Sequence, residues 1–140
     1  MKEMQVMNDA SPDARNALIS GGTSGIGLAL AQGFAAAGYN VIAAGLGPLS
    51  HSTPSIRFAR LDVTDGPAVA ALVSELPELD VVVNAAGIIR REDEFDPDIF
   101  AQVIDINLNG TMRICTAARA ALAKRNGSII NIASMLSYFG

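Results

Sequence analysis

The chain has 140 residues, half of them hydrophobic and only 17% charged, with a formal net charge of -4. Such a chain is too apolar and too weakly charged to stay disordered, and with one cysteine, Cys115, it builds no disulfide framework. It has neither the ~18-residue apolar run of a membrane span nor the clustered Lys and Arg that phosphate neutralisation requires, so neither a membrane nor a nucleic acid is an expected partner.

Residues 1–14 are polar and without period, which predicts a flexible leader with no apolar core of a secretory signal. With the lone cysteine, this points to a reducing, cytoplasmic compartment. Residues 16–20 form a short apolar run that stops at Gly21-Gly22, the pattern of a buried strand. Residues 26–37 follow a helical period, with Leu28, Leu30, Ala31, Phe34 and Ala35 near one face and Gly38 as the stop. A second strand is expected over 41–44. Residues 45–55, rich in Gly, Pro and Ser, are expected to form a loop that carries His51 as a surface residue.

A third strand is expected over 56–61, then a helix over 65–76 with Pro67 in its first turn. Residues 80–84 (DVVVN) do not alternate between apolar and polar, which suits a parallel strand covered on both faces. The mixed charges of residues 90–98 read as a solvated loop and helix start, with Asp96 placed to cap. The period then predicts one long helix over 98–125, weakened locally at Asn109-Gly110 and ended by Asn126-Gly127. Cys115 falls on its apolar side, as a packing residue. A fifth strand is expected over 128–133. Strand–helix alternation with short connections predicts an α/β domain over 15–140: a doubly wound parallel sheet, helices on both faces, incomplete at about five strands.

The sharpest local signal is Ser20-Gly21-Gly22-Thr23-Ser24-Gly25-Ile26-Gly27, between the first strand and the first helix. Glycine there permits a tight turn and lets an anion approach bare backbone. The helix opening at Gly25 and Ile26 offers free N–H groups and the positive end of its dipole, a phosphate cradle. Thr23 and Ser24 read as turn chemistry with a phosphate contact. No Gly-Lys-Ser/Thr follows, so this is not a P-loop. No metal site is expected.

Four motifs converge in order. Ser20–Gly27 resembles the T-G-x-x-x-G-x-G turn of the short-chain dehydrogenase/reductase family. Asn84-Ala85-Ala86-Gly87 resembles its N-N-A-G. Asn107, within Ile106-Asn107-Leu108-Asn109-Gly110, matches its helix asparagine. Asn131-Ile132-Ala133-Ser134 resembles the strand that ends in its catalytic serine, and Leu61-Asp62-Val63 is similar to its D-V after strand three. The resemblance implies a Rossmann-like fold and hydride transfer between NAD or NADP and a small alcohol/ketone substrate. By that resemblance Gly21, Gly25 and Gly27 line the pyrophosphate, and Asp62 and Val63 touch the adenine. Asn84, Ala86 and Gly87 lie near the ribose. Asn107 holds a water of a proton relay, and Ser134 bonds the substrate oxygen. A homo-oligomer, dimer or tetramer, is also implied.

Three departures matter. Ala85 replaces an asparagine. Gly45 stands where NAD-preferring members carry an acid, yet no Arg or Lys stands at Ser24, Gly45 or Leu46, which tilts the reading to NAD. The Tyr-x-x-x-Lys pair is absent from the 140 residues, and Tyr138, only four positions past Ser134, is no substitute. The 140 residues alone are therefore expected not to turn over substrate. The alternatives are a non-catalytic nucleotide-binding module and a truncated fragment that acts through protein interaction.

Overall fold

The structure, a computed structural model, describes residues 14–49, 52–93 and 95–139. The expected leader falls almost wholly outside these, as do His51 and Glu94. The strands are β1 (Arg15–Ser20), β2 (Tyr39–Gly45), β3 (Ile56–Arg60), β4 (Val81–Asn84) and β5 (Ser128–Asn131). The helices are α1 (Gly25–Ala36), α2 (Gly66–Ser74), α3 (Pro97–Ile104), α4 (Thr111–Arg125) and the single turn α5 (Leu136–Phe139). The strands form one sheet in the order β3-β2-β1-β4-β5, every pair parallel.

The unalternating strand sequences now have their reason. Leu18, Ile42 and Val82 face one side and pack with Val69, Leu72 and Val73 of α2 and Ile114, Ala118, Ala121 and Leu122 of α4. Their neighbours Ala17, Ile19, Val41, Ala43, Val81 and Val83 face the other side, against Ala31, Leu30, Phe34 and Ala35 of α1. Both faces of the central strands are dry, so both sets of alternate residues are apolar.

Local signals start and stop the helices. Asp65 accepts a hydrogen bond from the N–H of Ala68, and Asp96 accepts from Asp98 and Ile99; each is followed within two residues by proline. Gly38 ends α1 at φ +85°, and Asn126 ends α4 at φ +50°. The loop before β3 folds back on the sheet edge, where Thr53 pairs with Ile56 and the Ser52 hydroxyl accepts from the N–H of Phe58.

The long helix departs from expectation. It is helical from 97 to 125, but Asp105–Gly110 forms a π-helical stretch between α3 and α4. The weak point at Asn109-Gly110 is thus a change of helical pitch and not a break. β5 is also shorter than expected, and its Ile129 and Ile130 are 43% and 42% exposed. Among the described strands it alone has every residue exposed.

Leu18 is fully buried at the centre of the sheet. Leu18→Ala is expected to lower stability by about 2–5 kcal/mol in chemical denaturation. Ile26→Ala, at a position 66% exposed, is expected to change it by less than about 0.5 kcal/mol.

Candidate active site

In an open parallel sheet a ligand binds beyond the carboxyl ends of the strands, where the strand order reverses. Here that point lies between β1 and β4. β1 ends at Ser20 and β4 at Asn84, register partners whose side chains bond, Ser20 Oγ to Asn84 Oδ1 at 3.4 Å. The Asn84 amide also donates to Asn131 Oδ1 at 2.9 Å on β5 and to Cys115 Sγ at 3.4 Å on α4. It is 4% exposed. The Asn84 side chain is thus spent inside the sheet, where it ties the ends of three strands together.

The glycine turn sits directly on the segment that follows β4. Gly21 has φ +71°, and a Cβ on it would lie 2.6 Å from the backbone of Ala85 and Ala86. A Cβ on Gly27 would overlap the Gly21 carbonyl. Any side chain at either place would push α1 off the sheet. Ser24 is the N-cap of α1 and puts no side-chain oxygen on the first-turn N–H groups, and no acid lies in that turn. Ser24, Gly25 and Ile26 are exposed, so the positive end of the helix faces outward. A glycine cradle with an uncapped helix terminus suits the pyrophosphate of a dinucleotide.

Thr23 is buried, and its hydroxyl accepts from the N–H of Gly47 at 3.2 Å, which pins the loop after β2 to the turn. The Asp62 carboxylate accepts from the N–H and hydroxyl of Thr64 at 2.9 and 2.7 Å. The Val63 side chain is buried in the core, so only its backbone is left to meet a ligand. Ala86 is partly buried against the same core, and Gly87 is exposed, with a Cβ on it 3.3 Å from Asn107 Oδ1. Asn107 lies in the π-helical stretch. Its Oδ1 accepts from the N–H of Ile88 and its Nδ2 donates to the carbonyl of Ile88, both at 2.8 Å. Its amide therefore clamps the chain just past Gly87. Its own carbonyl accepts from the Thr111 hydroxyl at 3.0 Å.

Ser134 follows β5 by three residues. Its hydroxyl accepts from the N–H of Leu136 at 3.2 Å and so caps α5. Tyr138, on α5, is 83% exposed. Contacts join the glycine turn, Ala85–Ile88 and Asn107 into one cluster. Val63 reaches that cluster through Gly110, whose Cβ position lies 2.6 Å from Val63 Cγ2. Among the described residues, the hydrogen bonds of Ser134 go to Leu136 and Ser137 and do not reach it.

Sequence reasoning missed the Asp105–Arg113 pair, whose Oδ1 and Nη2 are 2.7 Å apart. Eight residues separate the two, twice the spacing of an ordinary helical ion pair. No local signal marks it. Hydrogen bonds from Arg113, then from Asn109, hold the Asp105 carboxyl below its ordinary value. A depressed carboxylate contributes stability above its unfolded-state pKa and loses it as pH falls through the folded value. The stability difference between the protein and Asp105→Asn should hold constant at neutral pH. It should close as the pH drops below the ordinary carboxylate range, as followed by thermal melts at a series of pH values.

Comparison with known proteins agrees with this fold. Residues 15–140 match the family model for short chain dehydrogenase. The chain is 33% identical to a 3beta-hydroxysteroid dehydrogenase of Mediterraneibacter gnavus, over 91% of its own length and 52% of the relative's. It is 34% identical to a 2-dehydro-3-deoxy-D-gluconate 5-dehydrogenase of Dickeya dadantii, over 96% and 59%. A solved short chain dehydrogenase/reductase family protein superposes with a TM-score of 0.79 at 34% identity, covering 89% of this chain and 57% of that one. The chain thus spans between half and three-fifths of the length of these relatives. With the family model matched over residues 15–140, nine-tenths of the sequence, the chain belongs to the short-chain dehydrogenase family.

Proposed function

We propose that these residues form the nucleotide-binding part of an NAD(P)-dependent oxidoreductase that moves hydride between a nicotinamide and a small alcohol/ketone pair. The observation that carries this reading is the cradle of Gly21, Gly25 and Gly27 at the uncapped start of α1, where a Cβ on Gly21 would strike Ala85 and Ala86 and a Cβ on Gly27 would strike Gly21. Thr23, Ser24 and Ile26 complete its rim. A bound nicotinamide supplies the hydride donor or acceptor. The residues of this chain bind and orient. The backbone at Asp62 and Val63 lies on the adenine side, and Ala86 and Gly87 bound the ribose. Asn84 holds the strand ends beneath them. Asn107 fixes Ile88 and would hold a water of the proton path. Ser134 polarises the substrate oxygen, where negative charge develops.

No Tyr-x-x-x-Lys pair lies in the 140 residues. We therefore read the 140-residue chain as able to bind nucleotide and unable to turn over, because general acid–base chemistry lacks its main group. Cytoplasmic residence and a dimer or tetramer complete the proposal. A lone cysteine supports the first, and the exposed Met112 and Arg119 on the outer side of α4 support the second.

Cofactor preference follows from the end of β2. A Cβ at Gly45 would lie 2.6 Å from Thr23 Oγ1, so a carboxylate there would displace the Thr23–Gly47 bond. Neither an acid nor a cation stands at Ser24, Gly45 or Leu46. We propose NAD as the cofactor favoured, by a small margin.

Three outcomes test this. Fluorescence titration should give saturable binding of NADH, stronger than NADPH by less than about tenfold, because no charged side chain stands at Ser24, Gly45 or Leu46 to discriminate strongly between them. Leu46 is 55% exposed beside this position, so Leu46→Arg should fold normally and reverse the preference, with a gain that salt screens. Gly27→Ala should abolish binding. Turnover by the 140-residue chain, in a hydride-transfer assay with either cofactor, would overturn the assignment of its chemistry.

A further inference from the structure

Arg113 stands in the first turn of α4, just past the π-helical stretch, and its guanidinium makes three bonds. Nη2 donates to Asp105 Oδ1 at 2.7 Å. Nη1 donates to the carbonyl oxygens of Asp105 and Val63, each at 3.3 Å. Asp105 is the first residue of the π-helical stretch, so Arg113 ties the start of that stretch to the helix beyond its end. The Asp105 carboxylate also accepts from Asn109 Nδ2 at 3.1 Å, a brace from within. Val63 belongs to another part of the chain, fifty residues earlier, and follows β3.

Two consequences meet at this side chain. A π-helical turn is a local departure from the favoured helical bond pattern, and it persists only where surrounding contacts hold it. Here they are the Arg113 bonds and Gly110, seated so closely on Val63 that a Cβ would lie 2.6 Å from Val63 Cγ2. The same π-helical stretch carries Asn107, whose amide grips both polar groups of Ile88. An ordinary surface ion pair contributes a few tenths of a kcal/mol and orders nothing beyond itself. The Arg113 side chain is about two-thirds covered, and its guanidinium holds two backbone carbonyls besides its carboxylate, which is the fixed-fork geometry that lysine lacks.

We propose that Arg113 is a positioning residue: it locks the Val63 loop and the Asn107-bearing π-helical stretch to each other, so that the adenine side and the proton-transfer side of the site move as one body. The proposal rests on the reading of Asp62–Val63 and Asn107 as site residues given above.

The test reads two quantities in the protein and its variants: amide hydrogen exchange at Ile88, and the affinity for AMP. With Arg113→Met, the Ile88 amide should exchange about tenfold faster, since a charge-assisted anchor of the clamp is lost. The amides of Thr64 and Asp65 should quicken with it, while those of β1 and β4 keep their rates. AMP should bind about fivefold more weakly, through the slackened Val63 loop. Arg113→Lys, which keeps the charge but not the fork, should fall between. Unchanged Ile88 exchange in Arg113→Met would overturn the proposal. So would a rise shared equally by every amide, which is the mark of general destabilisation. Should Arg113→Met fail to fold, Arg113→Lys and Asp105→Asn decide: faster exchange confined to Ile88 and residues 64–65 supports the lock, and wild-type rates in both variants overturn it. If the wild-type protein does not bind AMP, the nucleotide reading fails, and the exchange at Ile88 still judges Arg113 by itself.

Discussion

The site depends on one close approach. The backbone of Gly21 lies against Ala85 and Ala86, and Gly27 lies against Gly21, with no room for a Cβ at either glycine. These contacts let α1 settle on the sheet with its first turn beside the carboxyl end of β4. Buried Ile19, Val41, Ala43 and Val83 on that face meet Ala31, which is itself completely buried. The small side chains of Ala43 and Ala31 and the absent side chains of the turn are one constraint, because a thicker layer at either place would lift the helix dipole away from the end of β4.

Beneath the turn, the strand ends are joined by polar side chains and not by apolar packing. Ser20, Asn84 and Asn131 occupy neighbouring register positions on β1, β4 and β5, and the Asn84 amide reaches both partners. A buried amide left unpaired would be costly, so the row holds only with every partner in place. It fixes where Ala85–Ile88 leaves β4. The Asn107 clamp on Ile88 then fixes where that segment goes next. The floor of the site is thus set from the sheet side by Asn84 and from the helix side by Asn107.

Much of this was legible in the sequence. The unalternating Val81–Val83 run, the glycine turn and the caps Asp65 and Asp96 each carry a local signal, and the elements they predict are present. The order of motifs also located the cluster around the switch point. What was not legible lies in contacts between distant residues. Asn109-Gly110 marks a weak point near Asn107 but does not announce a π-helical stretch, because the change of pitch is held by Val63 and Arg113 from outside it. The side chains of Asn84 and Val63 carry motif positions, yet both turn inward, one to the strand ends and one to the core. Motif spacing cannot distinguish a side chain that faces a ligand from one that holds the backbone facing it. The apolar Ile129 and Ile130 promised a covered strand, and among the described residues nothing covers β5 on both faces.

The central claim is that the glycine turn, and the segment after β4 that seats it, bind the diphosphate of a nicotinamide dinucleotide. The most direct measurement is a map of backbone amide NMR shifts on titration with NAD. Saturable shifts are expected, centred on residues 21–27 and 85–88, with little change along the outer edge of β3. Shifts centred elsewhere, or none at saturating NAD and NADP, would contradict it.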